Sequence, residues 1–342
     1  MRFRQTLRHG AISVLTFFVV MLSIIALPVS AQTSSDATPA ASWGAPEATE
    51  ATAPLTLVWQ SAFTSKSSLP SPGDIAIDAD GNVYVSTQSM NTVKKFDSDG
   101  NFVKEWGGGG DDDGQFSLSL GIDVDSDNNV YVTDFYHRRI QKFDSEGTFL
   151  MHWPTELTTS PAFLAVDAQD NVYIDQFPPH DEHYIQKFDS EGSLVSEWGI
   201  NSGQFNGRIE DIAVDHDGNL YVADVVKHRV KKIDPDGNLL ASFGGDASKK
   251  GNGLFYDPFG ITVDNDGNIY VLDSNFLQKL DWEGHFVTQW STVGGDLDRA
   301  TNVAVDSEGN LYVFAHADVT AVNGNKINVL VLKKFQQQAA GW

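Results

Sequence analysis

Four stretches of this sequence bring together residues that can do chemistry. GGGGDDDGQF, residues 107–116, places Asp111, Asp112 and Asp113 after four glycines. Free backbone beside carboxylates suits a phosphate cradle, a calcium loop or a tight turn. FPPHDEHY, residues 177–184, sets His180 and His183 around Asp181 and Glu182. Imidazole with carboxylate suits zinc or a similar metal, although no helix fixes the spacing. Residues 134–139 read DFYHRR, and Asp224 is followed by Lys227, His228 and Arg229. Aromatic rings beside cationic side chains bind partners well when a rigid scaffold presents them. Asp123 stands in an apolar run, at a slot filled elsewhere by Ala76, Ala165, Ala213, Thr262 and Ala304. A carboxylate there costs stability unless a water, a cation or the amides of a neighbouring strand satisfy it.

What must position these residues is a repeat. DIAIDADGNVYV (74–85) returns as GIDVDSDNNVYV, FLAVDAQDNVYI, DIAVDHDGNLYV, GITVDNDGNIYV and NVAVDSEGNLYV, the last at 302–313. Each copy continues into a run ending in Lys-Phe-Asp or a near variant, then a turn such as DSDGN. A fourth run follows and ends at Trp106, Trp153, Trp198, Phe243 or Trp290. The runs are short, rich in Val, Ile, Tyr and Phe, and bounded by Gly, Asn and Asp, which is strand and hairpin chemistry. Four strands per unit, six times, predict an all-β, six-bladed β-propeller of four-stranded antiparallel blades. The sixth unit lacks its fourth strand, and LTLVWQ (55–60) supplies it, with Trp59 in the aromatic slot. The N-terminal strand is therefore expected to complete the last blade and close the ring.

The repeat also assigns the loops. The glycine stretch occupies the same slot as GINSGQF and GGDASKKGNGLF, so it reads as a blade-to-blade connection, with Phe116, Phe205 and Phe255 as plugs between blades. No helix follows it, which removes the physical basis of a phosphate cradle. The acidic turns are too short for calcium loops, lack the twelfth-position Glu and enter strands. The lysine pairs 94–95, 231–232 and 333–334 recur in register and read as a solvated feature beside the edge strand. The inner runs carry no histidine, and the sequence offers no nucleophile–base pair.

The pattern, clearest in YHRRIQKFDSEGTFLMHW (136–153) and KHRVKKIDPDGNLLASFG (227–244), resembles the NHL repeat over about residues 55–336. The resemblance implies a propeller whose first run is innermost. Its binding face carries the blade-to-blade loops and the turns between second and third strands. Most relatives of this kind are binding scaffolds, and some bind RNA. Other six-bladed propellers are a zinc-dependent peptidyl-hydroxyglycine lyase and gluconolactonase-like hydrolases with a channel metal.

The N-terminus adds an address. Arg2, Arg4 and Arg8 precede an apolar run at 11–27, then Pro28 and Val29-Ser30-Ala31, which reads as a cleaved signal peptide over 1–31. An uncleaved anchor is the competing reading. Residues 32–54 form a disordered Ala/Thr/Pro/Glu linker, 55–336 the propeller and 337–342 a tail. The formal net charge is -23, and the first 31 residues hold three arginines and no acid, so cleavage makes it more negative. That balance argues against nucleic acid and anionic membranes. There are no cysteines, which excludes thiol chemistry and Cys-based zinc sites.

These observations lead to an exported monomeric propeller, periplasmic, in the cell envelope or extracellular. It has no stable membrane insertion once cleaved. It is expected to be non-catalytic and to bind a protein, peptide or glycan through Phe135, Tyr136, His137, Arg138, Arg139, Lys227, His228 and Arg229. The local cations are expected to steer an anionic or carboxylate-bearing partner there. No cofactor is expected. Zn or Ca is the alternative, with His180, His183 and Asp123 as weak metal candidates, and it goes with a lyase or lactonase activity.

Overall fold

The computed structural model describes residues 54–62, 71–155, 159–177, 183–199, 205, 208–245, 251–320 and 326–337. The signal-peptide and linker readings, His180 and the tail beyond Gln337 lie outside the described residues. The strands form six four-stranded antiparallel sheets. Five blades are continuous in sequence, over 72–107, 119–154, 160–198, 209–244 and 260–291. The sixth combines three strands between Asn302 and Gln337 with the N-terminal strand Leu55–Ala62, which pairs with Lys326–Gln337. The expected closure of the ring is present in that pairing. Among the described residues no helix is long and apolar enough to cross a membrane.

The core sits between blades. Ala76, Tyr84 and Val93 of the first blade pack with Ile122, Val130, Val132 and Phe143 of the second, and Phe116 plugs the gap. Phe205 and Phe255 do the same further round the ring. Second strands such as Val83–Thr87 are buried along their whole length, whereas outer strands such as Phe102–Gly107 are largely exposed.

Two devices repeat. At the end of each inner strand an Asp caps its hairpin: Asp125 Oδ1 accepts the amides of Asp127 and Asn129, and its Oδ2 accepts the Tyr131 hydroxyl at 3.0 Å. Lys142 lies over the same Tyr131 ring at 4.8 Å and reaches Asp125 at 3.1 Å. The lysines predicted as solvated are therefore mostly internal. Lys95, Lys231 and Lys333 are buried, and Lys232 and Lys334 lie over Tyr221 and Tyr312. The long methylene stems cover apolar surface while the ammonium finds an acid or a carbonyl. The second device is the aromatic slot: Trp106 packs on Gly147 of the next blade, where a Cβ would fall 2.5 Å from the ring. Gly147 also has φ of 74°, so the turn and the close approach both require glycine.

Candidate functional site

The top face carries the blade connections and the turns between second and third strands. Its geometry follows from Asp134, at the end of a second strand and wholly buried. A buried carboxylate needs partners. Asp134 accepts Arg139 Nε at 2.8 Å, His137 Nδ1 and the Ser117 amide at 2.8 Å, and Gln141 Nε2 at 3.1 Å. Arg139 continues to the carbonyls of Asp112 and Gln115 and to Asp113 at 3.4 Å. His137 Nε2 meets Asp111 at 3.0 Å, and His152 Nδ1 meets Asp113 at 2.9 Å. The 107–116 stretch is thus a connector clamped by Arg139, His137 and His152, as its repeat position predicts.

The fourth blade is similar. Asp224 accepts the Lys227 amide at 3.0 Å and faces Lys231 at 3.1 Å and Arg229 at 3.5 Å. His228 bonds the Tyr256 carbonyl and lies 3.8 Å from Asp257. Of the eight residues predicted to bind a partner, His137, Arg139, His228 and Arg229 are held within the scaffold. Tyr136, Arg138 and Lys227 are exposed, and Phe135 is half-buried. Arg138 and His228 both stand at φ of 54°, as Asn91 does at 56° in the first blade, so this turn slot is left-handed.

Beside Asp134 lies a ledge of rings from two blades. Phe135 meets Tyr136 edge-on at 5.2 Å and Phe177 of the third blade at 6.0 Å. Tyr136 is 48% exposed and Phe177 45%. Phe177 in turn meets the His183 ring at 5.3 Å. His183 is buried and its Nδ1 is 2.9 Å from Asp175. Burial pushes its pKa down, but the Asp175 carboxylate, helped by Glu210, outweighs this and holds it above the usual histidine value. The stretch 177–184 draws attention for its histidines and not for Phe177, whose signal is that it takes the same repeat position as Phe135.

The ring encloses a central cavity of about 180 Å³ lined by the inner strands. Three carboxylates face it: Asp74, Asp123 and Asp211. Asp123 accepts the Val124 amide and, across the blade boundary, the Val166 amide, both at 2.8 Å. Asp211 likewise takes Ile212 at 2.8 Å and Ile261 at 2.9 Å. Asp74 takes Ile75 at 2.8 Å and a hydrogen bond from the Ile122 backbone. Asn302 donates to the Gly73 carbonyl at 3.1 Å, joining the sixth blade to the first. Burial raises all three acids: Asp74 to about 7, Asp123 to about 6, and Asp211 well above the carboxylate range. Asp74 and Asp211 escaped the sequence reading. Their signal was the first residue of DIAID and DIAVD, where other units have Gly, Phe or Asn.

These acids are spent on backbone amides. They do not fit a channel metal, since among the described residues the group whose ligand atoms lie within 4.8 Å of one another is Asp281, Glu283 and His285 on an outer hairpin. There His285 Nδ1 faces Asp281 Oδ2 at 3.1 Å, as Asn101 Nδ2 faces Asp97 Oδ2 at 3.0 Å in the first blade. His183 and Asp123 lie in separate environments, one beside Asp175 and one between inner strands.

Residues 120–143 match the NHL repeat. In fold the chain is similar to a virginiamycin B lyase from Staphylococcus aureus, at 13% identity and a TM-score of 0.57, covering 82% of this chain and 99% of that one. It is similar to a gluconolactonase from Xanthomonas campestris at 14% identity and a TM-score of 0.54, covering 84% and 99%. A protein of unknown function from Bacteroides thetaiotaomicron aligns at 18% identity and a TM-score of 0.58, covering 83% and 73%. The chain is a six-bladed β-propeller, one segment of which, residues 120–143, matches the NHL repeat.

Proposed function

We propose that this NHL-repeat propeller is an exported, non-catalytic scaffold that binds a protein, peptide or glycan at its top face. The observation that carries the reading is the division of labour there. The histidines and arginines able to do chemistry are tied to Asp134, Asp224 and the blade connections, while Tyr136 and Phe177 stand out from a rigid frame. Exposed rings held by packed neighbours bind without losing much freedom. The basic start and apolar run of the first residues support export. Of the cations expected to draw an anionic partner, Arg139 is paired with Asp113 and Asp134 and Arg229 with Asp224, which lessens the pull on an anionic ligand.

A second reading is a lyase or lactonase working in the central channel. Buried carboxylates with raised pKa values are one mark of catalytic sites, and the fold is shared with a streptogramin-type lyase and a gluconolactonase. Against it, each channel acid already holds two amides. The purified protein should be assayed on virginiamycin B and on gluconolactone, with zinc or calcium added. The scaffold reading expects no turnover above background. Turnover abolished by Asp74→Asn or Asp211→Asn would replace it with the channel enzyme.

A further inference from the structure

We infer that the ledge of Phe135, Tyr136 and Phe177 is a carbohydrate platform, and that its ligand is a neutral pyranose oligosaccharide. This rests on the top-face binding reading and deepens it. The rings come from two blades and support one another at 5.2 and 6.0 Å, so their positions are fixed before any ligand arrives. The C–H face of a pyranose is apolar and flat enough to stack on such rings, while its rim of hydroxyls demands hydrogen-bond partners.

One such partner is linked to the same turn. The Asp111 side chain is 98% exposed and is tied to His137, the residue next to Tyr136. Carboxylate oxygens accept from sugar hydroxyls. Charge selects against acidic sugars. Arg139 is balanced by Asp113 and Asp134, and the chain as a whole is strongly acidic. A peptide added as an extra strand finds no opening here, because the second strands behind the ledge are paired on both sides.

The test is calorimetric titration of the folded propeller with cellohexaose, chitohexaose and mannohexaose, with hexagalacturonate as the charged comparison. At least one neutral hexasaccharide should bind, and hexagalacturonate should not. Tyr136→Ala and Phe177→Ala should each raise Kd about tenfold, equivalent to ~1.4 kcal/mol, with melting temperatures unchanged. Absence of binding by all three neutral sugars would overturn the inference. So would preferential binding of hexagalacturonate, although loss of that binding in the two ring variants would leave the top-face scaffold standing. Neutral-sugar binding that survives both ring variants but is lost in Asp211→Asn would overturn the platform and the scaffold reading together.

Discussion

At the scale of single residues, a buried carboxylate can join two blades and still cost stability once ionised. Asp123 satisfies amides on both sides, yet burial lifts its pKa to about 6. A carboxyl with a raised folded-state pKa binds protons more tightly folded than unfolded, so its contribution falls as pH rises between the two values. Asp74, Asp211 and Glu210 act in the same direction, and so does His183, whose raised pKa gives stability that is present at low pH and lost as pH rises. The protein should therefore be more stable at pH 5 than at pH 8. In Asp123→Asn the difference in unfolding free energy between those pH values should shrink by about 1–2 kcal/mol. An unchanged difference, read from denaturant melts, would count against the ionisation of Asp123. Arg138 gives a second residue-scale prediction. Its slot is left-handed, and the first blade fills the same slot with Asn91. Arg138→Asn should leave the melting temperature level or raise it slightly, since Asn tolerates this conformation better. The sequence revealed that Asp123 was out of place. It did not reveal that Asn91, Arg138 and His228 share a backbone demand, because three unlike side chains meet it.

At the scale of elements, adjoining blades are fastened by an aromatic ring lying on a turn glycine. Gly147→Ala would both strain a backbone at φ of 74° and drive a Cβ into the Trp106 ring. It should destabilise the protein by about 2 kcal/mol or more, measured as a lower denaturant midpoint. A neutral result would mean that the Trp106 contact is not tight. This pairing was half visible in the sequence: the aromatic slot and the turn glycine each recur, but which blade they join depends on the ring. The third-strand lysines show the opposite case. Periodicity placed them correctly, yet their burial was not legible, because it depends on the Tyr ring of the strand beside them and the acid at its hairpin.

At the scale of the molecule, the ring is closed by pairing the first described strand with the last. Trp59 then sits on Gly100 of the first blade, and its Nε1 bonds the Ser98 carbonyl at 3.0 Å. Removing residues 32–54 should leave thermal stability nearly unchanged, whereas removal through Gln60 should lower it sharply. Equal melting temperatures would show that closure does not depend on this strand. The six-bladed architecture was legible from repetition alone, because each unit repeats the same strand and turn chemistry. The candidate site was less legible, because its parts lie on different blades and only the closed ring brings Phe135 to Phe177 or Asp211 to Ile261. On the proposed function, ligand is held on the top-face ledge and not in the channel. The direct measurement is a pair of calorimetric titrations with chitohexaose, one on Tyr136→Ala/Phe177→Ala and one on Asp74→Asn/Asp211→Asn. Binding should be lost in the first and kept in the second, and the reverse result would place the ligand in the channel.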